Sequence, residues 1–593
     1  MMQLTLIGFL LFVIKAFVVV IFAMNVAVIL TWADRRQGAM IQDRVGPNRA
    51  VAWIPTVVAQ ALAVVPAIAV VALVGFIVVK VEPPPEVRGQ RAMLFSQLGI
   101  LFTWLTGVAI AGKVQTRGVT SSFDAWIYTL GDPRRIFYGG LFAHFAALFV
   151  GVTLSDSSFG EQIRDIGYGG GAGLLIFAIL AGAFYAAFSI RNEPRFGLRL
   201  AGLLHPAADG LKTIWKEDFI PPNADKFLHS LAPFISFFPA LVVMGVIPFG
   251  DTLCFALKDG QLSSLMSFVP RDGVCVEGAV KLQVIDLDVG LLYFFALAGT
   301  GIVGAALAGW ASDNKYSLLG GVRAASQMVS YEVTQGLTLV GAVMIYGSLR
   351  VDKMIEWQQQ HAWGIFVQPL AFFLFFTASV AESKRIPFDI PEGESEIVAG
   401  YFTEYAGMKF AMFFFAEYIA VVTSAGLMSA IFLGGWDLPF LYRDGIHVEI
   451  GGTVLFEQML PHLVVILIGA LGFILKTLTL CWVQLMIRWT LPRFRYDQLM
   501  RLGWRKLLPA SLGNVLVTGL IVLAISSAGV ATEKFMNLLG DYTRAFLALG
   551  GIGGFIAFVV FLLKPVHKKK MLASSSAQFA AAAGGTRSVR MGA

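Results

Sequence analysis

Of the 593 residues, 57% are hydrophobic and only 14% are charged, with a formal net charge of +7. A soluble domain carries about 25% charged residues, so a soluble enzyme is excluded, and a mean hydropathy of +0.73 points to a bilayer. Strand-length alternating segments are absent, which argues against an outer-membrane barrel, and the scattered basic residues form no nucleic-acid-binding motif.

Apolar runs of spanning length predict thirteen transmembrane helices, near 4–31, 52–79, 92–112, 136–154, 172–190, 228–249, 287–310, 322–346, 363–383, 409–433, 455–488, 511–530 and 547–563. The fold class is therefore an all-α polytopic membrane protein. The first run, interrupted by Lys15 and Asn25, is too long for a signal-peptide core and lacks a basic flank, so it is expected to remain as a helix. Segment 199–216 differs: Leu200, Leu203, Leu204, Ala207, Leu211 and Ile214 recur at helical spacing among Arg199, Asp209 and Lys212, as in a helix lying at the interface. With the N-terminus outside, the inner loops hold 31 of the 45 basic residues and the outer loops 12, which predicts an external N-terminus and a cytoplasmic C-terminus.

The stretch AESKRIPFDIPEGESEIVAGYFTEYAG, 381–407, holds Glu382, Asp389, Glu392, Glu394, Glu396 and Glu404 between two apolar runs. Anchoring would favour Lys or Arg, which snorkel and attract anionic lipid; acids there read as a proton-exchanging wall or a polar cavity. Glu332 and Glu417 lie about ten and eight residues into their helices, roughly 12–15 Å below the inner boundary. An acid at that depth costs on the order of 2.5–3.5 kcal/mol to insert, so both are expected to face a polar interior. Glu392 and Glu396, spaced i,i+4, share one face if their loop is helical, with Lys384 and Arg385 as candidate partners. Lys476, deep in its helix, is expected to neutralise a buried carboxylate. Arg35, Arg36, Arg44 and Arg49 surround the turn formers Gly46 and Pro47. Asp209 could pair with Lys212, three residues on, or with those arginines.

Three cysteines cannot hold an iron–sulfur cluster; Cys254 and Cys275 share one outer loop, where a disulfide and two free thiols are both open readings, and Cys481 reads as a small core residue. The seven histidines are dispersed and suggest no metal site, and neither a dinucleotide-binding nor a phosphate-binding motif is present.

Six segments together resemble one family: IQDRVGPNR (41–49), LLHPAADGLKTIWKED (203–218), LAGWASDNKYSLLGGVRAASQMVSYEV (307–333), AESKRIPFDIPEGESEIVAGYFTEY (381–405), FFFAEY (413–418) and IRWTLPRFRYDQLMRLGWRKLLP (487–509). They are similar, in order and spacing, to the quinone-site membrane subunit of respiratory complex I, the H-type subunit of bacteria and subunit 1 of mitochondria. The resemblance covers roughly 1–50 and 195–531 and implies an eight-helix core, with residues 51–194 as a four-span insertion, 532–563 as an extra C-terminal span and 564–593 as a disordered cytoplasmic tail. Asp34 stands where the family usually has Glu, and His205 where it usually has Gln.

The resemblance implies a subunit of a proton-pumping NADH:quinone oxidoreductase in the bacterial inner membrane, with no NADH oxidation by this chain alone. It implies a quinone chamber drawing on Asp34, Arg35, Arg36, Arg44, His205, Asp209, Lys212, Arg385, Phe388 and Asp389. A proton relay would run through Glu332, Glu382, Glu392, Glu394, Glu396, Glu404 and Glu417. Quinone would be the substrate, with no metal or iron–sulfur cluster in the chain. Partners would be peripheral iron–sulfur and quinone-site subunits, antiporter-like and small membrane subunits, and lipid. The equivalent subunit of a membrane-bound hydrogenase shares the motif set, and an independent ion antiporter is a more distant alternative. The inserted spans, poor in ionisable groups and rich in Ala, Gly and Val, are expected to pack as a peripheral bundle; guidance of quinone access is the competing role.

Overall fold

The computed structural model describes residues 6–44, 46–47, 50–80, 85–117, 138–140, 142–144, 158–190, 195–198, 202–254, 280–450, 453–528, 540, 542–551 and 553–554. Among these, eight helices are long and apolar enough to cross a membrane, and the shorter apolar helices include Pro369–Glu382. The expected spans 136–154 and 547–563 fall largely outside the described residues, as does the tail 564–593.

Local chemistry sets the helix ends. The Asp225 carboxylate accepts from the amides of Phe227 and Leu228 and starts Lys226–Val243, as a side-chain cap does for orphan N–H groups. Asn314 caps Lys315–Tyr346 through Tyr316, and Gly347 ends that helix in the left-handed conformation at φ 66°. Three expected spans are corrected. The 363–383 run is broken at Gln368 into Gly364–Val367 and Pro369–Glu382, with Pro369 starting the second helix. The 455–488 helix begins only at His462, because Thr453–Met459 pairs antiparallel with Gly445–Ile450 and Leu441–Tyr442 extends the sheet; Pro461 ends this sheet and caps the helix. The 511–530 span is the far part of a longer helical run, Tyr496–Leu502, a π turn over Gly503–Leu507, and Leu508–Ala528. Segment 199–216 folds as the helix Leu204–Trp215.

Helix Ser158–Ile190 packs on both Thr56–Lys80 and Pro85–Arg117, and a Cβ at Gly171 would stand 2.4 Å from the Ser96 amide nitrogen. Strands Ala52–Pro55 and Arg195–Leu198 pair antiparallel, so the inserted chain leaves and re-enters at one place.

Helix Gly407–Phe432 is the axis of the remaining helices, with 72% of its most apolar window buried. Contacts of Asp34 with Tyr418 and Arg488, and of Arg35 with Asp209, bring the basic ends of four elements to one face. The opposite face is fixed by Gln283 to the Val246 carbonyl, Tyr346 to the Ile431 carbonyl and Arg443 to Asp251. Cys254 on that side is disulfide-bonded, while Cys275 lies outside the described residues; Cys481 is a free, buried thiol.

Candidate functional site

The acidic segment is folded but mostly not helical, since Pro387, Pro391, Gly393 and Gly400 interrupt it and Glu394–Ile397 makes a single turn. A Cβ on Gly400, at φ 58°, would lie 1.7 Å from the Pro391 carbonyl oxygen, and one on Gly320 would lie 2.6 Å from the Gly400 Cα. Glycine at both places lets the loop seat against helix Lys315–Tyr346. Gln327 completes the seat, its amide donating to the carbonyls of Ala381 and Phe388 at 2.7 and 2.8 Å.

That seat aims the loop's basic residues inward. Arg385 reaches the buried Glu417 carboxylate at 3.1 Å and lies over the Tyr418 ring, 4.2 Å from its centroid. The Tyr401 hydroxyl donates to the other Glu417 oxygen at 3.1 Å, and Lys384 Nζ donates to the Tyr401 hydroxyl at 3.0 Å. Tyr418 donates to Asp34 at 3.1 Å, and Asp34 also accepts from Arg488 and from the Trp489 indole. Asp34, Tyr418, Arg385, Glu417, Tyr401 and Lys384 thus form one file of hydrogen bonds and an ion pair, joined between Tyr418 and Arg385 by the guanidinium lying over the ring.

A cavity lies at each end. The larger, about 370 Å³, is lined by Asp34, Arg35, Asp209, Lys212 and Arg488 and by Phe410, Phe414 and Phe415. The smaller, about 80 Å³, is lined by Glu382, Lys384, Glu417 and Ser236 among apolar side chains. Outside the spans, burial pushes Asp389 up to about 6, against the opposing pull of Arg493 at 2.8 Å. Burial, followed by the charges of Glu417 and Asp389, raises Glu392 well above the usual carboxylate range. Burial also lowers Lys384 and holds Tyr401 well above the ordinary phenol value.

The remaining expected residues are spread more widely. Arg35 pairs with Asp209 at 2.7 Å, while Lys212 is exposed on the same helix, so Asp209 turns to the arginine. Arg36 and Arg44 are exposed near the turn, and His205 Nδ1 lies 3.2 Å from the Gly202 carbonyl. Phe388 stacks on Phe494 at 5.4 Å. Glu332 is half-buried against Gly299, where an added Cβ would stand 2.9 Å from its carboxylate. Glu404 accepts from the Asn314 amide at 2.7 Å, tying the loop to a helix cap. Glu394's side chain is outside the described set.

One pairing is corrected. Glu392 and Glu396 do not share a helix face: Glu396 is exposed and binds Arg323 at 2.8 Å, and the loop's Arg385 goes to Glu417. Lys476 offsets the charge of the buried Asp437 carboxylate, as expected, and it also donates to the backbone carbonyls of Leu433, Gly435 and Asp437 and sits 4.0 Å from the Trp363 ring centroid. It closes a helix end whose carbonyls lost their partners. Tyr401, Tyr418 and Arg488 join the site without a sequence expectation behind them; Tyr418's place directly after Glu417 is the available signal. Among the described residues, no group of three His, Cys, Asp or Glu is placed to hold a metal.

A multi-pass helical membrane protein with ionisable groups strung through its interior is the class these features define. Residues 172–519 match the NADH dehydrogenase family. An H-type NADH-quinone oxidoreductase subunit of Geobacter sulfurreducens is 44% identical over 321 residues, 54% of this chain and 82% of that protein. A second H-type subunit of the same organism is 40% identical over 383 residues, 63% and 99%, and that of Bacillus thuringiensis is 40% identical over 357 residues, 59% and 92%. The chain belongs to this family of H-type NADH-quinone oxidoreductase subunits. It is a multi-pass protein of the bacterial inner membrane and a non-catalytic membrane component of a quinone-interacting respiratory complex. The family match takes in residues 172–194, which the motif spacing assigns to the insertion.

Proposed function

We propose that this chain forms part of the quinone chamber of a proton-pumping NADH:quinone oxidoreductase and carries the first stretch of its proton path. The observation that carries the reading is the unbroken file from Asp34 to Lys384 between the two cavities. The larger cavity has one aromatic wall and one charged wall, which suits a flat apolar ring bearing two carbonyl oxygens; its volume falls within the range of small-molecule sites. Partner iron–sulfur subunits would supply two electrons to the quinone, and two protons complete the quinol. Loss of protons from the chamber's charged wall disturbs Asp34 and its three donors. Tyr418 and Arg385 then pass the change in field to Glu417, and Glu382 and Glu332 continue the path towards antiporter-like partner subunits. Glu392 and Asp389, already held towards protonation by burial, are suited to exchange protons at the chamber edge. In this reading the basic face is cytoplasmic, residues 51–194 are a peripheral bundle against the family core, and Glu396 and Glu404 fasten the loop.

The test of the chamber is photolabelling of the intact complex with a photoreactive quinone. Label at the Phe410–Tyr418 turns or the Leu204–Trp215 helix, weakened by Asp209→Asn and Arg36→Ala together with quinone reduction, supports the assignment. Label confined to the inserted helices, with normal quinone kinetics in both variants, moves the site elsewhere.

A further inference from the structure

Helix Lys226–Val243 carries a histidine that the file above does not use. His229 is fully buried; the Glu404 backbone lies within reach of one side of the ring, and neither ring nitrogen makes a well-formed hydrogen bond among the described residues. Its ring lies flat on Tyr405, with centroids 4.1 Å apart and planes 7° from parallel. Phenylalanine would make the same stack without burying two polar atoms, each costing about 1–3 kcal/mol when unpaired. Orphaned polar atoms inside a protein are sites for ordered water.

Ser236 stands seven residues further on the same helix face, about 10 Å along the axis. It too is buried with an unpaired hydroxyl, and it lines the 80 Å³ cavity that holds Glu382, Lys384 and Glu417. A water takes about 30 Å³ of liquid volume, so the cavity has room for more than one. The helix facing this stretch presents Gly304, Ala305 and Ala308, and a Cβ on Gly304 would lie 2.2 Å from the Ser236 hydroxyl. Two buried, unsatisfied polar side chains therefore mark a line from the basic face to the cavity, separate from the Asp34 file.

We propose that His229 is a proton-entry residue, feeding the Glu417 cavity through a short file of waters past Ser236. The proposal rests on the relay reading of Glu417. The charged groups acting on the ring are Lys409 from the Gly407–Phe432 helix, Glu404 from the acidic loop and Asp218 from the segment after Leu204–Trp215; Lys409 and Asp218 pair at 3.0 Å. The face of Gly290–Ala311 towards it offers alanines and glycine. Glu404 and Asp218 place negative charge near the ring. The imidazole takes a proton on one nitrogen and releases one from the other, so it ends neutral as the opposite tautomer, and proton exchange through the adjoining waters resets it before the next transfer. The proton reaches Glu417 or Glu382, and the quinone's own proton supply through the larger cavity is left separate.

The test uses the intact complex in proteoliposomes, driven by NADH and a quinone, with assembly checked on native gels. His229→Phe, which keeps the stack, should slow proton translocation on the order of a hundredfold, the lower end of what one lost proton-transfer group costs, and Ser236→Ala should slow it as well. His229→Phe should also flatten the pH profile of pumping, which a packing histidine would not affect. If His229→Phe fails to assemble, Ser236→Ala decides: slowed pumping supports the inlet and wild-type pumping overturns it. If both variants pump with the wild-type rate and pH profile while Glu417→Gln does not pump, the inlet is wrong and the relay stands. If Glu417→Gln also pumps normally, the relay reading fails and the inlet fails with it.

Discussion

Replacing Arg385 by Met should destabilise the assembled complex more than any loss of surface charge would. Arg385 and Glu417 are 10% and 2% exposed at their side chains and meet at 3.1 Å. Removing one member of such a pair leaves a charge buried without compensation, which typically costs about 3–5 kcal/mol. Arg385 also covers the Tyr418 ring at 4.2 Å and the Phe414 ring at 5.4 Å, adding about 0.5–2 kcal/mol of cation–π attraction. The matching double variant, Arg385→Met with Glu417→Gln, removes both charges and should recover most of the loss. The assay is the thermal half-life of the purified complex across the four members of the cycle, whose coupling term isolates the pair. A single variant as durable as wild type, or a double variant no better than Arg385→Met alone, would refute the pairing.

Lys476→Met should shorten the thermal half-life while leaving the KM for quinone unchanged, because its three carbonyl acceptors lie at the face opposite the chamber; a raised KM would contradict this. Asp389 is held at about 6 by burial, above its unfolded value of 3.8. The folded loop therefore binds more protons than the unfolded one between these values, and its stability falls as pH rises through that window. Amide exchange over 383–406, corrected for intrinsic rates, should show more opening at pH 6 than at pH 4, and Asp389→Asn should weaken the trend, with Glu392 carrying the rest; a wild-type loop insensitive to pH would count against it. Gly320→Ala should expose the same loop to protease and abolish quinone reduction, since the new Cβ meets Gly400 at 2.6 Å. Full activity would show that the seat is more forgiving than its geometry.

Among the described residues, eight of the expected spans were legible because a run of about twenty apolar residues has one economical solution in lipid. Glu417 was legible for the converse reason, as an acid too deep to be decorative. Their partners were not. Asp34 and Arg488 are 454 residues apart in sequence, and no local spacing links Tyr418 to the first helix. Helical periodicity also misled where backbone rather than side chains decides. The loop with Pro387, Pro391, Gly393 and Gly400 could not hold Glu392 and Glu396 on one face. The depth of Lys476 pointed to the buried Asp437 carboxylate but gave no sign of the carbonyls freed around Gly434 and Gly435, both at positive φ. The HVEI and TVLFEQM strands were hidden because one of them runs almost directly into an apolar helix. The file from Asp34 to Lys384 is a tertiary object, assembled from residues each of which reads alone as an anchor or a packing group.

The relay is tested most directly by counting protons moved per electron in proteoliposomes containing the intact complex with Glu417→Gln, which keeps the side chain's shape and its bond from Tyr401. The account predicts a complex that assembles but has a shorter thermal half-life, because Arg385 loses its partner, with pumping lost or strongly reduced relative to electron flow. An assembled Glu417→Gln complex that moves the wild-type number of protons per electron would contradict it.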